Sequence, residues 1–169
     1  MTPGYSRRTF LATGLALAPA LVLGGCGFHL RGPQPLAFAT LYVGADPNSA
    51  LGAALRRRVA NSGTTLVVED PAAADARIEF LQIVNNREIL SLSGAGKVRE
   101  YQIEQVITFR VISRAGIELL PATSISARRE YNFDDTRVIG KEQEEALLYR
   151  DIETDLLQQL MRRLAALRP

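Results

Sequence analysis

Chemistry-bearing side chains are few in this chain, and one of them is unique. Cys26 is the only cysteine in 169 residues, so no intrachain disulfide can form. The residues in front of it are Leu23-Gly24-Gly25, preceded by an apolar run from Phe10 to Leu23. Small residues before a cut are what a signal-processing peptidase can admit in its cleft. The pattern predicts cleavage before Cys26, a diacylglycerol on its thiol and acylation of its new amino group. The competing reading is a buried free thiol at the end of a core helix.

The second set is basic. Lys97 and Arg99 follow a Ser93-Gly94-Ala95-Gly96 turn, and Arg137 and Lys141 lie between the last strand and the last helix. If the turn and that loop share one end of the fold, the four side chains converge on phosphates, arginine as a bidentate fork and lysine as a point charge. Otherwise they are surface charges paired with Glu100, Glu142 and Asp135. Arg56-Arg57-Arg58 and Arg128-Arg129 read as solvated faces.

Other chemistry is absent. Nucleophilic triads need a positioned imidazole, and the single histidine, His29, is a linker residue three positions from Cys26. Metal sites want several ligands together, whereas Asp134-Asp135 are adjacent turn residues. Gly94-x-Gly96-Lys97 is too short for a phosphate loop and no helix follows it. The expectation is a protein that is not an enzyme and uses no cofactor.

Charge and length bound the class. The chain has 20 Lys and Arg against 18 Asp and Glu; Arg7 and Arg8 fall in residues 1–25, which hold no acid, so 18 of each remain after the cut. A neutral mature part argues against bulk binding to nucleic acid. Ser6-Arg7-Arg8-Thr9-Phe10-Leu11 resembles a twin-arginine export signal; an ordinary Sec signal with two arginines is the alternative. Residues 1–25 are read as signal peptide, 26–35 as lipidated tether with Pro33 and Pro35 extended, and 36–169 as one domain. No second apolar run spans a bilayer. Membrane attachment is therefore expected through the lipid on Cys26.

Periodicity supplies the elements that must position these residues. Leu36–Val43 reads as a strand and Asp46-Pro47-Asn48-Ser49 as a helix start. Leu51, Ala54, Leu55 and Val59 form a helical stripe, Asn61-Ser62-Gly63 stops it, and Thr64–Val68 is a second strand. This is a βαβ unit with parallel strands. Three long antiparallel strands follow, over 76–92 (bulged near Asn85-Asn86), 98–113 and about 124–133, with Arg129 breaking an apolar face. From about Lys141 to Leu167 the period becomes helical, with Leu148, Ile152, Leu156, Leu160 and Leu164 every four residues. The predicted fold is α+β: a two-layer α/β sandwich whose mixed sheet carries both helices on one face.

Taken in order, several of these residues resemble a known family. Cys26-Gly27-Phe28-His29-Leu30-Arg31 is similar to the mature start of the lipopolysaccharide-assembly lipoproteins. Asp46-Pro47-Asn48, Glu100-Tyr101-Gln102, and Lys141 before an acidic stretch and a final amphipathic helix are similar to theirs as well. The twin-arginine-like signal departs from the Sec signal expected there. The resemblance implies an outer-membrane lipoprotein that plugs and helps assemble a large β-barrel, the lipopolysaccharide translocon, and binds lipopolysaccharide. Gly27, which is not aspartate, agrees with outer-membrane sorting. By the same analogy Lys141 is the leading candidate for contacting anionic groups of the ligand, with Lys97, Arg99 and Arg137 as further candidates. The alternative is a lipid-anchored periplasmic protein with another ligand, or a minor hydrolase with an unrecognised site.

Overall fold

The computed structural model describes residues 35–134, 136 and 138–168. The expected signal peptide, Cys26, His29 and Arg137 lie outside the described residues. Seven elements follow in chain order: β1 (Thr40–Gly44), α1 (Ala50–Ala60), β2 (Leu66–Val68), β3 (Ala76–Leu92), β4 (Val98–Ser113), β5 (Glu118–Asn132) and α2 (Val138–Ala166). The strands make one mixed sheet in the order β2-β1-β3-β4-β5. β1 runs parallel to both neighbours, with Leu41 opposite Val67 on one side and Ala76 on the other. β3, β4 and β5 are antiparallel. The two-layer α+β architecture read from the sequence is the one observed.

The helix α1 starts where its capping residues require. Ser49 accepts the Gly52 N–H through Oγ at 3.0 Å, and Asp46 accepts the Asn48 N–H through Oδ1 at 2.8 Å. The Ser49 bond satisfies a donor that the first helical turn leaves orphaned, and the Asp46 bond closes the turn that leads into it. Position 52 has no room for a side chain, since a Cβ there would stand 2.2 Å from the Asp46 carbonyl oxygen. Downstream, Leu51, Leu55 and Val59 are buried.

β4 and α2 supply the centre of the core. Ile103, Ile107, Phe109 and Val111 alternate along β4 and are fully buried. Ile152, Leu156, Leu160 and Leu164 recur every four residues along α2 and are fully buried too. Side chains four apart lie on one helical face, so this row packs as a unit. The helix α2 lies mainly over β5 and β4, while α1 lies over β1 and β2 and touches α2. Arg129, the interruption in the apolar face of β5, is paired with Asp155 of α2, which explains how a guanidinium is accommodated beneath a helix.

Several details differ from the sequence reading, among them β2, which begins at Leu66 and not Thr64, and α2, which begins at Val138 and not about Lys141. β1 begins at Thr40, not Leu36, because Thr64 and Thr65 side chains hold the preceding backbone. The Leu36 N–H donates to Thr64 Oγ1 at 3.0 Å, and the Thr65 hydroxyl donates to the Phe38 carbonyl at 2.8 Å. Asn85-Asn86 is not a bulge. Both residues pair in register with Gln105 and Glu104, and the irregularities fall at 80–82 and 89–92. Across the pair, Gln105 Nε2 donates to Asn85 Oδ1 at 2.8 Å. β5 begins at Glu118, earlier than 124, and contains Pro121. β5 is an edge strand and its register shifts there, so the missing N–H disturbs no ladder on the open side.

Replacing Gly52 by alanine is expected to cost about 2–3 kcal/mol through overpacking and loss of the Ser49 cap. Urea unfolding of the Gly52→Ala protein would measure it, and an unchanged midpoint would contradict the account of the cap.

Candidate functional site

The end of the sheet that carries the β3–β4 turn is built around aromatic side chains. Gly96, at φ 75°, allows the turn to close, and the Ser93 N–H donates to the Lys97 carbonyl at 2.7 Å. The Lys97 N–H returns to Ser93 Oγ at 3.1 Å. Two residues on, the Arg99 carbonyl accepts the Phe133 N–H at 2.8 Å, which ties the base of the hairpin to the segment leading into α2. Tyr101 stacks on its cross-strand partner Tyr131 at 5.7 Å and meets Phe133 edge-on at 5.3 Å. The Arg87 guanidinium lies 3.9 Å over the Tyr101 ring.

Glu145 fastens α2 to this end. Its carboxylate accepts the Tyr131 hydroxyl and stands 3.7 Å from the Arg87 guanidinium. Burial, then the bond to Glu145, raises the Tyr131 pKa far above the usual tyrosine value. Tyr149 is raised by burial and by the Glu145 charge. The phenol of Tyr131 therefore stays a neutral donor throughout the physiological range.

One turn before Glu145 is Lys141. Its Nζ contacts Glu144 Oε2 at 2.7 Å, and its side chain is only 20% exposed. It is thus paired, though with Glu144 and not with the expected Glu142. Glu100, expected beside Lys97 and Arg99, accepts the Ser91 hydroxyl at 2.7 Å. Arg99 is exposed and has no carboxylate within salt-bridge distance among the described residues. Lys97 is also exposed. Lys97, Arg99 and Lys141 therefore share one end of the sandwich, while Arg137 and Asp135 lie outside the described residues.

Sequence periodicity missed the network under these cations. Arg87 stands at an inward-facing position of β3, opposite Ile103, as Arg129 does on β5. A charged residue at an apolar-parity position was the available signal, and in both cases a carboxylate of α2 answers it. A further feature is the distal half of β3. The β1–β3 ladder ends at Gly44 and Glu79, so among the described residues β3 has no neighbour on that side beyond this point. Leu81, Ile83, Ile89, Leu90 and Leu92 there are each at least 45% exposed.

The family model for lipopolysaccharide assembly, LptE, matches residues 38–164. The chain belongs to the LptE family. The LPS-assembly lipoprotein LptE of Pectobacterium atrosepticum is 27% identical over 157 residues, covering 91% of this chain and 83% of that protein. LptE of Photorhabdus laumondii is 30% identical over 161 residues, covering 94% and 80%. A solution structure of lipoprotein B from Nitrosomonas europaea has a TM-score of 0.69 and 31% identity, and covers 83% of this chain and 91% of that one. The LptE family is one of non-enzymatic lipopolysaccharide-assembly lipoproteins. Among the described residues no helix is long and apolar enough to cross a membrane.

Tyr131→Phe removes the bond to Glu145 and is expected to lower stability by about 1.5–3 kcal/mol at pH 8, the range for a hydrogen bond to a charged group. The raised pKa also makes stability fall with alkali. The contribution is intact below the unfolded tyrosine value of about 10 and is lost as pH climbs from there toward the folded value. Urea titrations at pH 8 and pH 11 should show a smaller alkaline loss in Tyr131→Phe than in the parent. Equal losses would contradict the assignment.

Proposed function

We propose that this LptE family member is an outer-membrane lipoprotein, anchored by lipid on Cys26, that plugs and helps assemble the β-barrel lipopolysaccharide translocon and binds lipopolysaccharide. Lys141 contacts phosphate or carboxylate groups of the ligand, with Lys97, Arg99 and Arg137 as further candidates. The names of the relatives support the lipopolysaccharide role. The observation that carries the contact site is the Glu145–Tyr131 bond, which seats the first turns of α2 beside the strand ends bearing Arg99.

Two further features support a partnered plug. The exposed apolar row of β3 beside an unpaired strand edge is a surface that proteins ordinarily keep covered. The opposite face of the sheet is polar, with Arg110 2.8 Å from Glu79, Arg77 3.0 Å from Glu79, and Thr108 2.8 Å from Ser124. Such a face suits the polar interior of a wide barrel.

Lys141 is held by Glu144, so an anionic ligand must compete with that carboxylate. Lipopolysaccharide titrated against the detergent-solubilised full-length protein should bind about tenfold more weakly to Lys141→Glu, the loss of one charge-assisted contact. Glu144→Gln releases the ammonium and should tighten binding about two- to fivefold, the worth of an exposed pair. Unchanged affinity in both variants would remove Lys141 from the site, and no binding by the parent would remove the lipopolysaccharide role.

A further inference from the structure

A second cationic feature lies between the two helices, and the function above makes no use of it. Arg57 and Arg58 from the last turn of α1 and Arg150 from α2 line an open cleft of about 400 Å³. Among the described residues, none of these three guanidinium groups has a carboxylate within salt-bridge distance. Arg56, Arg77, Arg87, Arg110, Arg114 and Arg129 all do. The C-terminal dipole of α1 favours Arg57 and Arg58 where they are. Arg150 has no such reason, since it sits in the interior of Val138–Ala166.

Three unneutralised cations facing one space repel each other, and an oxyanion removes that repulsion. Guanidinium forks match phosphate oxygens in a bidentate way. Asn61 and Thr154 add a neutral amide and a hydroxyl to the wall, and Leu157 and Ala54 give it an apolar part. Glu153 is the one carboxylate there. It suits a ligand that also carries hydroxyl donors, and it would repel an acidic protein segment. The volume lies in the range of small-ligand sites.

We infer that this interhelical cleft binds a small phosphate-bearing anion, a phosphomonoester or diphosphate on a hydroxylated carrier, either a soluble sugar or a lipid headgroup. Arg150 is nine residues from Lys141, about 13 Å along the helix, so the cleft is separate from the sheet-end site.

Isothermal titration of the full-length protein in non-ionic detergent tests this with three probes: inorganic pyrophosphate, glucose 1-phosphate and monomeric dihexanoyl phosphatidic acid. Saturable pyrophosphate binding is expected, at least tenfold weaker in Arg57→Gln/Arg150→Gln and unchanged in Lys141→Glu. Arg57→Lys/Arg150→Lys should fall between them, and it decides the matter if the glutamine variant does not fold. Tighter glucose 1-phosphate binding would point to a soluble sugar, and tighter phosphatidic acid binding to a lipid headgroup. No saturable binding of any probe would overturn the inference, as would binding that is indifferent to the arginines or lost in Lys141→Glu. Absent phosphate binding, with a protein partner lost from the arginine variant on pull-down, would make the cleft a protein-docking groove and overturn it as well.

Discussion

The row Ile152, Leu156, Leu160 and Leu164 of α2, pressed on Ile103, Ile107, Phe109 and Val111 of β4, is the contact on which the rest of the structure depends. Each of these side chains is removed from water entirely, and a fully buried aliphatic contributes about 1.5–3 kcal/mol relative to an exposed one. No other element presents a comparable apolar face. α1 is short, and β1 and β2 have five and three residues. The position of α2 therefore sets what is covered and what is left open.

Two consequences follow from that seat. α2 lies over β5 and β4, so the inner face of distal β3 is left with Ile83 and Ile89 partly in water, and among the described residues no strand pairs with its edge. The helix also begins over the aromatic end of the sheet, where Glu145 takes the Tyr131 hydroxyl and Lys141 follows it there. An uncovered apolar edge and a cationic end thus arise from one packing decision. We propose the first as a surface for a partner and the second as a place for anions. Arg57, Arg58 and Arg150 owe their proximity to the same decision, because it brings α2 alongside α1.

Much of this was legible in the sequence because the signals were periodic and local. The four-residue spacing of α2, the alternation along β4 and the Ser49 cap each predict their element from a few residues. The limits of β3 and β4 came out as observed because the Pro71 connection precedes β3, and the Ser93-Gly94-Ala95-Gly96 and Arg114-Ala115-Gly116 turns bound the other ends. What was not legible depended on partners distant in sequence. Thr64 and Thr65 decide where β1 begins, and Gln105 keeps Asn85 in register. The edge position of β5 makes Pro121 acceptable, a fact of sheet order that no local pattern carries. At the candidate site, the basic residues were visible as residue types. Their confinement to one end needed the Arg99–Phe133 backbone bond, and the role of Glu144 needed the helix geometry.

The central claim is that the uncovered edge of β3 is occupied by the translocon barrel. A photo-crosslinking amino acid at Leu90, with another at Ser124 on the polar face of the sheet, tests it in intact cells. The account predicts a single large adduct from position 90 that contains an outer-membrane β-barrel, formed while the protein is lipid-anchored and lost in Cys26→Ala. Position 90 yielding no adduct, or only adducts with soluble proteins, would contradict it, and β3 would then be an edge that the protein leaves bare.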